Sequence, residues 1–284
     1  MTDRILKPAV AAAAVLLAAC GAGLGGTAFA APPPPVPLLP YADLADLADH
    51  APMVVRARIR SIAVVEPARA PGLRPGHARL FVEARTTTLL SGPPLTGDSL
   101  RYLADVPLDA KGKPPKLVKR EVLLFARTVP ARPGELQLVA PDAQVLWSPA
   151  NEERLRAILG ELLAPGAPGR VTRVSEAIYV PGTLAGEGET QMFLDTADRE
   201  PASITVTHRA GSEAHWNVSF SEVVNAEGTA PAPDTLAWYR LACFLPRHLD
   251  PAVNVSASAQ DKAQAAADYA YVLGRLGECP RTRG

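Results

Sequence analysis

From residue 53 the chain alternates apolar and charged positions: Val55, Ala57 and Ile59 point one way, and Arg56, Arg58 and Arg60 the other. A period of two marks a strand with one buried face. After Ser61 the phase slips and Ile62 and Val64 become the apolar positions, as an inserted bulge residue produces. Further runs of strand character cover 79–90, 99–106, 121–129 and 135–146, divided by the turn-rich segments 91–98, 107–115 and 130–134. Ahead of them, Tyr41, Leu44 and Leu47 are spaced by three, which predicts a short helical turn at most.

Five short strands with a kinked first one predict a small, strongly curved barrel over 41–163. A helix follows directly. Ser148 is its N-cap, Pro149 its first helical residue, and Leu155, Ile158, Leu159 and Leu162 form one apolar face that would plug or flank the barrel. At the level of pattern, residues 50–147 resemble the OB-like barrels found in exported proteins, netrin-like modules among them. The resemblance implies a fold and carries no active site with it.

Alternating Ala-Pro-Gly repeats at 164–169 read as a linker, after which the pattern changes. Runs at 171–180, 189–196, 203–208 and 215–224 predict antiparallel strands, the last two a hairpin around Gly211. Two helices come next. The first is capped by Asp234 or Thr235, places Trp238, Leu241, Ala242 and Leu245 on one side, and stops at Pro246. The second starts near Ser258, with Asp261 completing a capping box and Ala266, Tyr269, Ala270, Leu273 and Leu276 on its inner face. The expected class is therefore α+β, mainly β with helices. It comprises an OB-like small β-barrel with a flanking helix (41–163), then a small antiparallel sheet with a C-terminal two-helix unit (170–284).

The first thirty residues follow a different logic. Arg4 and Lys7 precede an apolar run at 9–19, the order of a secretory signal, and the run is too short to span a bilayer comfortably. It has two candidate endings. Leu17-Ala18-Ala19-Cys20 resembles a lipobox, which would leave Cys20 lipidated and the chain tethered to a membrane. Ala28-Phe29-Ala30 has the small-x-small pattern of ordinary cleavage, which would discard Cys20 and start the mature chain at the Pro-rich spacer 31–40. Either cut leaves Cys243 and Cys279 as the remaining pair of three cysteines, and an oxidising compartment would join them. The expected location is thus exported and periplasm-facing, lipid-anchored or freely diffusing, with no transmembrane helix in the mature chain.

Charge excludes one class of partner. Lys and Arg balance Asp and Glu at 29 each, with 17 against 14 in residues 31–163 and 10 against 14 in 164–284, so neither half carries the basic excess of a nucleic-acid binder. The densest local cluster is Lys111, Lys113, Lys116, Lys119 and Arg120, interrupted by Pro114-Pro115 and so held extended on a loop. With Arg56, Arg58 and Arg60 it could line a basic face for another protein or an anionic envelope component; the plain alternative is a solvated barrel surface. Phe81 and Tyr102 are the only rings on nearby strands, too few for a stacking platform.

Motifs for catalysis are wanting. Gly21 to Gly26 matches G-x-G-x-x-G but lies in the export segment, without the strand and helix that a dinucleotide site needs. His208 and His215 flank a turn, yet the register that puts Ile204 and Val206 with Trp216 and Val218 sends the two histidines to opposite faces, against a shared metal. Asp195, Asp198 and Glu200 lack the glycine-bearing loop of a calcium site and fit a solvated hairpin tip. His50, His77 and His248 stand beside turns or helix ends, and there is no nucleophile elbow or zinc helix. No cofactor is expected. The leading expectation is a non-enzymatic envelope binding protein; the alternative is an exported hydrolase with its site between the two domains.

Overall fold

The computed structural model describes residues 35–95, 97–221 and 228–283, and residues 36–284 form one compact unit. Both candidate cleavage sites and Cys20 lie outside the described residues. The alternation from residue 53 builds β1 (Met53–Val64), with Val55, Ala57 and Ile59 fully buried. Its pairing with β2 (His77–Ser91) shifts register between Ile59 and Ser61, which leaves Arg60 as the extra residue of a bulge. Two more shifts, between Val54 and Val55 and between Arg56 and Ala57, add to the bend.

β3 (Ser99–Pro107) and β4 (Glu121–Thr128) complete the long strands of this first sheet. The single strand predicted over 135–146 is two, β5 (Leu136–Leu138) and β6 (Gln144–Leu146), both paired with β4. Between them the chain steps out of the ladder at Pro141, which has no N–H to give. Phe125 spans the step, donating to Ala143 and accepting from Val139.

The sheet order is β3-β2-β1-β4-β5, and all named ladders are antiparallel. The ladder does not close. β3 meets the start of β5 at one isolated parallel bridge, Arg101 with Glu135. Two backbone bonds accompany it, Arg101 to Gly134 (2.8 Å) and Asp105 to Pro141 (2.7 Å). The sheet is curled and open.

In place of a single turn, Tyr41–Asp49 is a nine-residue helix, α1, and most of its side chains are buried. It carries three aspartates for which local spacing offers no partner. Each is instead bonded by a residue far along the chain: Asp43 by Thr282, Asp46 by Tyr239 and Arg281, Asp49 by Arg240. α2 (Pro149–Leu162) forms as its cap predicts, with the Ser148 side chain accepting from the Asn151 N–H and Leu155, Ile158 and Leu159 buried.

The second sheet has order β10-β9-β8-β7, from β7 (Val171–Pro181), β8 (Gly188–Thr196), β9 (Ala202–His208) and β10 (His215–Ser219). α3 (Leu236–Ala242) is capped by Thr235, and α4 (Ala259–Leu276) by the Ser258–Asp261 capping box. α4 is rotated from its predicted face. It buries Ala265, Asp268, Tyr269, Val272 and Leu276, while Ala266 and Ala270 are exposed. Asp268 lies on this inner face, with its carboxylate bonded by Thr190 and His208. One hydrophobic cluster includes residues of both sheets and all four helices, among them Leu44, Ile59, Leu124, Ile158, Met192, Tyr239 and Val272. Cys243 and Cys279, just past the ends of α3 and α4, form a disulfide with Cα atoms 5.1 Å apart. Among the described residues no helix is long and apolar enough to cross a membrane.

Candidate binding surface

The three arginines of β1 have different fates. Arg56 is half-buried: its guanidinium bonds Glu121 on β4 and Glu152 on α2 and lies 3.8 Å from the centre of the Trp147 ring. Trp147 in turn donates to Glu152, and Arg156 bonds the same carboxylate. Arg58 reaches the other oxygen of Glu121 at 3.0 Å. These charges lock the start of α2 onto the outer face of β1. Only Arg60, turned out by the bulge, remains exposed with no ion pair among the described residues.

Burial works against the charge of Glu121, but hydrogen bonds from Arg56 and Arg58 prevail and hold it below the usual carboxylate range. Glu152 behaves alike: burial opposes its charge, and the Trp147 N–H and Arg156 outweigh it. A carboxylate with a depressed folded pKa binds fewer protons folded than unfolded. Its stabilisation is complete above the ordinary glutamate value of about 4.3 and is lost as pH falls through the lower folded value. Urea unfolding should therefore show steady stability down to about pH 5 and a decline below about pH 4. Glu121→Gln should flatten that decline; an unchanged slope would exclude Glu121 as its source.

The basic loop between β3 and β4 is built by Asp109, whose carboxylate accepts the backbone N–H groups of Lys111 and Lys113. Pro114 and Pro115 keep the following stretch extended, and Leu117 is buried, anchoring it. Lys119 takes a left-handed conformation (φ 69°). Its N–H bonds the carbonyl of Ile59, while Arg120 accepts from the Ile59 N–H, so the loop returns to the sheet beside Arg60. Lys111, Lys113, Lys116 and Lys119 are all exposed, and none is ion-paired among the described residues; Arg120 is half-buried. The structure thus sets the backbone of Lys119 and Arg120 beside residues 59–60 of β1, while Arg56 and Arg58 are paired with Glu121.

The histidines fall apart in space. His208 and His215 do lie on opposite faces, since His215 pairs with Thr207 across the hairpin. His215 bonds the carbonyl of Gly228. His208 faces inward, and its Nε2 is 2.9 Å from Oδ1 of Asp268. Asp268 also accepts from Gln264 (2.9 Å) and from the Thr190 hydroxyl, and its side chain is 4 % exposed. Sequence reasoning missed this buried carboxylate because an aspartate among alanines on a helix reads as solvent-facing; its partners sit 60 and 78 residues away. Asp195 pairs with Arg173, and among the described residues no cluster of His, Cys, Asp and Glu could hold a metal ion.

A cleft of about 530 Å³ opens between α1 and the 139–142 turn, lined by Asp43, Asp46, His50, Asp105, Asp142 and Arg283 among others. Its carboxylates are engaged: Asp43 by Thr282, Asp46 by Arg281, Asp105 by Arg79, and Asp142 by Arg283. His50 spends Nδ1 on the carbonyl of Asp46. Among the described residues that line the cleft, none is a serine, threonine or cysteine. No protein-family model matches the chain, and no curated protein matches it either.

Proposed function

We propose that this chain is an exported, non-enzymatic binding protein that holds an anionic component of the cell envelope on the basic edge of its first sheet. The observation that carries the reading is the β3–β4 loop, whose four exposed lysines are without ion pairs among the described residues while Arg56 and Arg58 are neutralised internally. A cation that stabilises its own fold is already spent. Cations left exposed on a proline-stiffened loop are free to meet an external anion at little ordering cost.

The path β3-β2-β1-β4-β5, with its parallel bridge from β3 to β5, supports an OB-like barrel as the underlying frame. Export is supported by the disulfide, which belongs to an oxidising compartment. A lipid on Cys20 would hold the basic loop near an anionic membrane surface; cleavage after Ala30 would let the protein diffuse.

Sedimentation with vesicles tests this reading. The protein should bind vesicles containing phosphatidylglycerol and ignore those of phosphatidylcholine alone, with binding that weakens as salt rises. Each lysine near an anionic surface contributes about 1 kcal/mol, so Lys111→Glu, Lys113→Glu, Lys116→Glu and Lys119→Glu together should weaken binding by roughly 100-fold or more. Equal binding to both vesicle types, or an unaffected fourfold variant, would overturn the proposal.

A further inference from the structure

Beside the lysine loop lies a second feature. Following the backbone from Lys119 across Arg60, the sheet reaches Glu83 on β2 and then Arg101 on β3, which is paired with Glu83. There a cleft of about 560 Å³ opens, lined by Arg60, Glu83, Asp98, Ser99, Arg101 and Gly134 among others. That volume suits a small molecule.

The walls of this cleft are held by specific bonds. Gly134 takes a positive φ of 78°, and a Cβ there would stand 2.7 Å from the carbonyl of Ser99, so only glycine lets the 130–134 turn lie against β3. Its carbonyl receives the Arg101 N–H. On the opposite side Asp98 is neutralised by Arg85 at 2.6 Å. Glu83 accepts the Ser61 hydroxyl at 2.8 Å and pairs with neither neighbouring guanidinium. Arg60 and Arg101 both line the cleft and both lack an ion pair among the described residues.

Two guanidinium groups without ion pairs among the described residues, on one concave surface, match the oxygens of a phosphate. Of the two carboxylates in the lining, Asp98 is held by Arg85, which leaves Glu83 to disfavour a second anion and accept a hydroxyl. We infer that Arg60, Arg101 and Glu83 form a site for a phosphate ester bearing a free hydroxyl, with the phosphate on the arginines and the hydroxyl on Glu83. The inference deepens the proposed function and rests on it for the class of partner. Glycerol phosphate has this chemistry, whether free in solution or as the headgroup of a lipid.

The test is NMR titration of the full mature chain with glycerol phosphate, and separately with inorganic phosphate. Resonances of Arg60, Glu83, Ser99, Arg101 and Gly134 should shift, with glycerol phosphate binding several-fold tighter than inorganic phosphate. Arg60→Gln and Arg101→Gln should each weaken binding at least tenfold, and Glu83→Gln should erase the preference for the ester while leaving phosphate bound. A backbone spectrum otherwise unchanged shows that each variant is folded.

Absence of shifts at these residues, or variants that bind like the parent, would overturn the site even if the lysine-dependent vesicle binding holds. Shifts at the cleft with no vesicle binding would instead remove the membrane reading and keep the site. Where both hold, release from phosphatidylglycerol vesicles by free glycerol phosphate assigns the site to lipid headgroups. Retention on vesicles with the cleft filled assigns it to soluble esters.

Discussion

Asp49→Ala should destabilise the protein by about 3–5 kcal/mol, the cost of leaving a buried charge without its partner. Arg240 on α3 has a side chain only 6 % exposed. It meets both oxygens of Asp49, at 2.7 and 2.8 Å, donates from Nε to the carbonyl of Pro168, and stands 5.4 Å from the Tyr239 ring centre. One guanidinium therefore joins α1, α3 and the Ala-Pro-Gly segment. Burial pushes the Asp49 carboxyl up, but the hydrogen bonds and charge of Arg240 more than reverse this and hold it below its ordinary value. The pair's contribution is therefore full above about pH 4 and fades as pH falls below that. Urea unfolding at pH 7 should show the loss, and the gap between parent and variant should narrow in acid.

A second variant separates charge from packing. Asp49→Leu combined with Arg240→Met removes both ions and keeps apolar volume, so it should recover most of the stability lost in Asp49→Ala, as replacements of buried ion pairs often do. A loss below about 1 kcal/mol in Asp49→Ala would mean that water reaches Arg240 and that the pair is dispensable.

This pair also shows where reading the sequence stops. Local signals were sufficient for most elements. Ser148-Pro149 and the Ser258–Asp261 box cap helices as their chemistry requires, and the alternation of β1 with its slip near Ser61 appears as a strand with Arg60 bulged out. Those features depend on residues within a few positions of one another. The misses share an opposite cause. Spacing alone gave α1 a single turn and placed Ala266 and Ala270 on the inner face of α4, whereas Asp43, Asp46 and Asp49 fix α1 and Asp268 lies on the inner face of α4 through donors 60 to 239 residues away. A buried carboxylate and a solvated one are identical in sequence; only the fold supplies the donor. The same holds for the basic face. Arg56, Arg58 and Arg60 are equivalent in the alternation, yet Glu121 and Glu152 neutralise two of them and the bulge frees the third. Composition found the lysine loop, whereas the cleft between Arg60 and Arg101 depends on strand register.

Cys243→Ser with Cys279→Ser should cost about 4 kcal/mol and lower the melting temperature by roughly 10 °C. The bond closes a loop of 36 residues that contains α4, so its main effect is to restrict the unfolded chain. In the native state other contacts hold the same parts together. The Trp238 ring N–H donates to the carbonyl of Leu276 at 2.9 Å, Arg281 bonds Asp46 through two nitrogens, and the backbone N–H and hydroxyl of Thr282 both reach Asp43. The double serine variant should therefore keep the parent's circular dichroism at 25 °C while unfolding at lower urea. Limited proteolysis discriminates further: if the bonds to α1 suffice, residues 279–283 stay protected in the variant until global unfolding begins. Early cleavage there, with the rest of the chain intact, would show that the disulfide is what keeps this segment on α1. Intact mass supplies the control, since the parent should gain two hydrogens on reduction; a parent that gains none would remove the basis for the whole expectation.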